Sequence, residues 1–417
     1  MKTRAVRDGL VVVADQGFLS LATFVVGIFV ARGTNDEIYS TYMLGWTIVL
    51  SFKGVQEALV NLPHTVVRTG LPDDEARLYQ GSTLVHTSIF CLLTLFLLAI
   101  VSVVLEMSFG LQSGTELQLG VLFAVLTALT FRDYFRNSLL AQLNFWGSVS
   151  ITSFVSLGVV LVTFTMYVNN SLTQSGVYLV FSVGFTITAC SMFWMQRSEF
   201  TVSSSRLYAD FKENWGFGKW ALVGNFVFAL SRQSVPWIIL YISDFDAAAA
   251  YFACLSLAIA PGTLLRGMSA YLLPRMSHTF NRESLVALRR ILKKSLLILC
   301  WPYLAWFSIG SLFGKDLLTL VYGEEFSEYQ HLLSALLFMA CIDFVFAPLT
   351  SGLQTLRQTK ELTYSLAVGA LITILTCPIF VLEYGVIGAG YSSALSISGT
   401  VIYRWYVLRR VITSISS

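Results

Sequence analysis

Charge is scarce in this chain. Only 12% of its 417 residues are Asp, Glu, Lys or Arg, against 55% hydrophobic, and mean hydropathy is +0.70. A soluble domain carries about 25% charged residues, so a soluble globular protein is excluded. Cysteine is sparse too: Cys91, Cys190, Cys254, Cys300, Cys341 and Cys377 each fall in a different apolar run, which argues for free thiols and against a disulfide framework. The four histidines, His64, His86, His278 and His331, show no metal-ligand spacing. There is no G-x-x-x-x-G-K-[ST] loop, so the chain is not expected to hydrolyse a nucleotide itself. Nothing in it asks for a cofactor, a metal or a nucleic-acid partner.

What is present is a series of apolar runs, each near the ~20 residues needed to cross a bilayer. Twelve are predicted, at approximately 10–31, 40–63, 81–105, 117–139, 147–168, 175–195, 217–241, 247–273, 292–314, 328–350, 361–382 and 385–408. The first is too long for a signal peptide, and "VARGTNDE" after it offers no small-x-small cleavage site. Basic residues are missing from one side: 22 fall on the side of the termini and only Arg32 and Lys315 on the other, with Lys53, Arg232 and Arg266 inside spans. That asymmetry predicts cytoplasmic termini. The outer loops are short and acidic. On the inner side, "RMSHTFNRESLVALRRILKKS" places Leu285, Leu288, Ile291 and Leu292 at helical spacing, which reads as an amphipathic helix on anionic headgroups.

The two halves resemble each other. "EIYSTYMLGW" and "NLPHTV" around the second span correspond to "AAAAYFACLSL" and "YLLPRMS" around the eighth, with Tyr42 and Tyr251 209 apart and Pro63 and Pro274 211 apart. "SLLAQLNFWGSVSI" faces "SGLQTLRQTKELTYS" at an offset of 213. With six spans per half, this reads as a parallel repeat. The expected fold is an all-α integral membrane protein of about 12 transmembrane helices in two pseudo-symmetric six-helix bundles around a central cavity. The expected domains are 1–195, a linker 196–216, and 217–417.

"ADQGFLSLATFVVGIFVARGTNDEIYSTYMLGWTIVLSF" (14–52) looks like the N-terminal signature of polysaccharide flippases of the multidrug/oligosaccharidyl-lipid/polysaccharide (MOP) exporter superfamily. "LLTLVYGEEFSEYQHLLSALL" and "YGVIGAGYSSALSISGTVIYRW" resemble its ninth-to-tenth and twelfth spans. The resemblance implies a Wzx-type flippase of the bacterial inner membrane. Its cargo would be undecaprenyl-pyrophosphate-linked oligosaccharide for lipopolysaccharide, capsule or exopolysaccharide, with polymerase or glycosyltransferase machinery as partners.

Charges within spans must face a bundle interior or a wet cavity. Arg232, Arg266 and Lys53 are candidates for a cationic cavity, since a guanidinium fork suits phosphate oxygens. Gln233 and Asn225 would offer hydrogen bonds to sugar hydroxyls. The alternative is internal neutralisation, Lys53 by Glu57 four residues on, and Arg232 or Arg266 by Asp343. Asp343, Glu57 and Asp15 are the acids placed to exchange H⁺ or Na⁺, although Asp15 also suits a structural role near its helix end. Pro236, Pro261, Pro348 and Pro378 inside spans mark bends or packing kinks. Three other readings compete. A drug/cation antiporter of the same superfamily would want a cavity rich in acids. A membrane glycosyltransferase or polymerase would want a larger outer loop than the ~15 residues available here. A peptidoglycan-precursor flippase would typically carry two further spans.

Overall fold

The polar residues that punctuate the apolar runs act as helix caps. Asn35 Oδ1 accepts from Ile38 N at 2.9 Å, Asn144 Oδ1 from Gly147 N at 3.2 Å, Thr173 Oγ1 from Gly176 N at 3.1 Å and Asp244 Oδ1 from Ala247 N at 2.8 Å. Each satisfies an N–H that the first helical turn leaves without a partner. In the computed structural model, which describes residues 2–68, 71–109, 115–142, 144–262, 276, 285–356 and 358–416, the described residues form helices and connecting turns.

The first half comprises α1 (Lys2–Gly33), α2 (Asp36–Gln56), a π-helical turn (Glu57–Asn61), α3 (Leu62–Arg68), α4 (Asp73–Phe109), α5 (Thr115–Ala141), α6 (Phe145–Val168) and α7 (Gln174–Gln196). There follow α8 (Ser204–Arg232), α9 (Ser234–Ile242), α10 (Phe245–Ile259), α11 (Leu285–Leu312), α12 (Gly314–Val321), α13 (Gln330–Val345), α14 (Ala347–Thr355), α15 (Thr359–Tyr384) and α16 (Val386–Ser416). Three expected spans are built from pieces: the second from α2, the π turn and α3, the seventh from α8 and α9, and the tenth from α13 and α14.

Seven described helical stretches are long and apolar enough to cross a membrane. Residues such as Phe154, Leu157 and Leu161 leave an apolar face of α6 exposed, as a lipid-facing helix requires. The stretches within α1, α2, α5 and α8 are not among the seven. These helices carry Asp15, Lys53, the Arg132–Arg136 run and Arg232.

The chain divides into two compact units. Unit A comprises Ala14–Thr34 and Gly45–Phe226; unit B comprises Met1–Val13, Asn35–Leu44 and Val227–Ser417. The division therefore falls inside α8 and not in a 196–216 linker. Residues from Ser204 onward are already helical, and their polar side chains are engaged within unit A: Arg206 with Glu75 and Asp210, each at 3.6 Å, and Asn214 Oδ1 accepting from Tyr79 Oη at 2.6 Å. Their polarity, which reads as a linker, serves packing.

The internal repeat has a local counterpart in the structure. The caps Asn35 and Asp244 are 209 residues apart, as are Tyr42 and Tyr251, both buried. In unit A, α7 packs along α5 and α6; in unit B, α16 packs along α13 and α15.

The amphipathic segment departs from expectation. Leu288 and Leu292 lie on the first turns of α11, buried in a cluster with Met276, Leu349, Leu353, Val401 and Leu408, with Ile291 packed against it. The apolar face of this segment is thus spent on α14 and α16 and not on headgroups. Residues 277–284 lie outside the described residues.

Candidate functional site

Proline sets the geometry of the first cluster, in unit B. Pro236 has no N–H, so the Arg232 carbonyl loses its helical donor, and the helix breaks between Arg232 and Ser234. Pro348 does the same to the Phe344 carbonyl, and the helix breaks at Phe346. Arg232 ends α8 and Asp343 lies in the last turn of α13, so both side chains sit at interruptions. Arg232 Nη2 donates to Asp343 Oδ2 at 2.8 Å, and Nη1 lies 3.4 Å from Met339 Sδ. Both charged side chains keep 29% of their surface exposed. Arg232 is ten residues from the end of α9, about 15 Å along the axis, or half of a ~30 Å hydrocarbon core. An ion pair at broken helices near mid-depth is a site open to a polar ligand.

Arg232 thus has the acid that its own helix does not supply. Arg404 is within electrostatic reach of both charges. It donates to Ser365 Oγ at 2.9 Å and Thr350 Oγ1 at 3.1 Å. Gln233 occupies the residue between α8 and α9, its N–H bonded to the Ala229 carbonyl at 2.8 Å. Arg266 lies outside the described residues. Of the other prolines, Pro261 follows the end of α10, and Pro378 sits inside an uninterrupted α15.

The second cluster, in unit A, is built on α5. Hydrogen bonds with three neighbours fix this helix: Gln56 Nε2 donates to the Thr130 carbonyl at 2.8 Å and Gln196 Nε2 to the Phe135 carbonyl at 3.0 Å, while Tyr134 Oη of α5 donates to the Gln80 carbonyl of α4 at 2.7 Å. Held in this register, Arg132 Nη1 donates to Asp133 Oδ1 at 2.6 Å, and Lys53 Nζ reaches Asp133 Oδ2 at 2.6 Å. Arg136 Nε donates to Asp15, whose other oxygen accepts from Ser148 Oγ at 3.3 Å.

Several expectations are corrected here. Lys53 pairs with Asp133, not with Glu57. Glu57 opens the π turn, is exposed, and accepts from Asn61 Nδ2 at 3.0 Å. Asn225 is committed to packing: its Nδ2 donates to the Gly54 carbonyl at 2.7 Å, where the chain approaches the π turn. Two turns earlier on α8, Gly218 lies so close to the Ala58 carbonyl that a Cβ would collide with it. The α8 face around Asn225 is therefore shaped to fit the π turn. Asp15 is fully buried and paired with Arg136.

Arg132 and Arg136, two of the 22 basic residues assigned to the side of the termini, are buried, and with Asp133 they form the part of the cluster that the sequence pattern did not single out. The available signal was "FRDYFRNS", an acid among basic residues at helical spacing.

No family model and no curated protein sequence matches the chain. Solved structures do. The chain shares the fold of MOP-superfamily transporters. An inward-facing multidrug resistance MATE-family transporter of that superfamily superposes with a TM-score of 0.79 at 14% identity, over 95% of this chain and 95% of its own. A MOP transporter from Pyrococcus furiosus, described as having a binding pocket of reversed polarity, gives 0.71 at 10% identity over 99% and 96%. The lipid II flippase MurJ in an inward closed conformation gives 0.72 at 12% identity over 95% and 86%. At these identities, what is shared is the fold.

Proposed function

We propose that this chain is a flippase that carries undecaprenyl-pyrophosphate-linked oligosaccharide across the bacterial inner membrane by alternating access, both termini being cytoplasmic. The observation that carries this reading is the state of the interior acids. The aspartates within spans, Asp15, Asp133 and Asp343, are each held by a guanidinium or an ammonium. Carboxylates so neutralised make a poor receptor for an organic cation, whereas partly exposed guanidinium at a helix break suits a pyrophosphate. The resemblance of residues 14–52 to polysaccharide flippases and the fold shared with MurJ support the same reading.

In this scheme Asp343 is a placeholder. The pyrophosphate takes Arg232 from Asp343, with Arg266 as a second anchor and Gln233 beside the sugars. The released carboxylate then takes up H⁺ or binds Na⁺, so that loading of the anion and of the coupling ion are linked at one residue. When the headgroup leaves, the Arg232–Asp343 pair reforms and resets the carrier. The lipid tail stays in the bilayer throughout. The polymerase or glycosyltransferase machinery that supplies and consumes the glycan lipid would be the partner.

The test is flipping of a fluorescent undecaprenyl-pyrophosphate oligosaccharide in proteoliposomes. Wild type moves the lipid and Arg232→Ala loses most of the activity while remaining folded; normal flipping by the variant would refute the site. The high superposition on a MATE-family transporter favours one second reading, a cation antiporter, which predicts proton-driven uptake of organic cations and no movement of the glycan lipid.

A further inference from the structure

Unit A contains a small crevice between α1, α5, α6 and α7. Its walls are mostly apolar, formed by Leu19, Val155, Val159, Phe181 and Phe185 among others, and two of its lining residues each carry a buried polar atom without a hydrogen-bond partner, Arg132 Nη2 and Thr152 Oγ1. Arg132 is 1% exposed and Thr152 2%. A guanidinium N–H and a hydroxyl left unmatched in a buried, apolar setting each cost free energy until something accepts from them.

The charges nearby say what that acceptor is. Asp133 gives one oxygen to Arg132 and the other to Lys53, so a single carboxylate serves two cations. Arg136 is matched separately by Asp15, and Glu57 is exposed and engaged with Asn61. The Lys53–Asp133–Arg132 triad therefore keeps one positive charge in excess; Lys53 is partly exposed, while Arg132, the buried cation, lines the crevice. Water would accept the orphaned hydrogen bonds and leave that charge in place. A monovalent anion does both, whereas a divalent one would overshoot. Apolar walls further select a weakly hydrated anion over one that clings to its water.

We propose that this crevice is a halide site, binding chloride or bromide beside its lining residues Arg132 and Thr152 within unit A. The site is distinct from the Arg232–Asp343 cluster and does not depend on which substrate is transported. Its occupancy completes the neutralisation of the Lys53–Asp133–Arg132 triad and so makes the stability of unit A depend on the halide.

The experiment uses the purified full chain in detergent, with chloride and bromide as probes and gluconate as the non-binding control at equal ionic strength. Wild type should broaden the ³⁵Cl resonance, bromide should relieve the broadening, and saturating halide should raise the melting temperature by about 3 °C over gluconate. Thr152→Val removes a hydroxyl that has no partner to lose, so the fold is kept while the halide-dependent broadening falls several-fold. Thr152→Asp supplies its own anion to Arg132 and should melt higher than wild type in gluconate, without response to halide. Equal melting of wild type in bromide and gluconate would assign the crevice to water and overturn the proposal. So would broadening that is unchanged in Thr152→Val.

Discussion

Breaking the Arg232–Asp343 pair from either side should change apparent substrate affinity in opposite directions. At 2.8 Å the bare attraction is about 6 kcal/mol for an effective dielectric constant near 20. Desolvation of both groups opposes it, and the 29% exposure of each side chain lowers it further by solvent screening. A net coupling of about 1–2 kcal/mol remains, between the values for surface and fully buried pairs. If a pyrophosphate must displace Asp343 to reach Arg232, Asp343→Asn removes that competitor and should strengthen apparent binding by about tenfold, since ~1.4 kcal/mol is one decade. Arg232→Ala removes the anchor and should weaken binding. Turnover should fall in both, in one because the headgroup is released slowly and in the other because it is not captured. The assay is concentration-dependent flipping in proteoliposomes, with thermal unfolding as the check on folding. If both variants shift affinity the same way, or neither shifts it, the pair is structural and the displacement scheme is wrong.

Other consequences follow from the surrounding packing. Asp133→Asn leaves Lys53 and Arg132 without their shared carboxylate and should cost about 3–5 kcal/mol, whereas Lys53→Met keeps the Arg132–Asp133 pair and should cost about 1 kcal/mol or less; unfolding in detergent distinguishes the two. A Cβ at Gly81 would strike the Thr201 carbonyl oxygen, so Gly81→Ala should destabilise by about 1–3 kcal/mol, while Gly120→Ala, with nothing within 4 Å, should be neutral on the same measurement. The Asp36 carboxyl, outside the spans, is held above the usual carboxylate range by partial burial first, then by Asp246 and Glu325. Its contribution to stability is full below its unfolded value near pH 4 and is lost as pH rises through the raised folded value. Asp36→Asn should therefore gain melting temperature relative to wild type as pH is taken from about 4 to 7, and a constant difference would refute the assignment.

The fold was legible because a bilayer leaves few options: each apolar run must close its backbone hydrogen bonds internally, so hydropathy and caps suffice to place helices. The breaks were partly legible as well, since Pro236 and Pro348 each remove a donor whatever their surroundings. Partners were not. Arg232 and Asp343 are 111 residues apart, and their meeting depends on how α8 and α13 pack.

Lys53 shows the difficulty at shorter range. Regular helix geometry puts Glu57 one turn away on the same face, but the π turn begins at Glu57, and Lys53 turns instead to a helix carrying two arginines and an aspartate. Those arginines count toward the side of the termini because they lie near the end of an apolar run, where hydropathy does not distinguish a charge in headgroups from one buried in a bundle. What separates the two is an acid within reach: Asp133 beside Arg132, and Asp15 opposite Arg136. An acid embedded among arginines inside a membrane helix therefore marks an interior network more reliably than the arginines do. At this one the carboxylates are too few for the Lys53–Arg132 pair of cations, and that imbalance gives the halide site its physical basis.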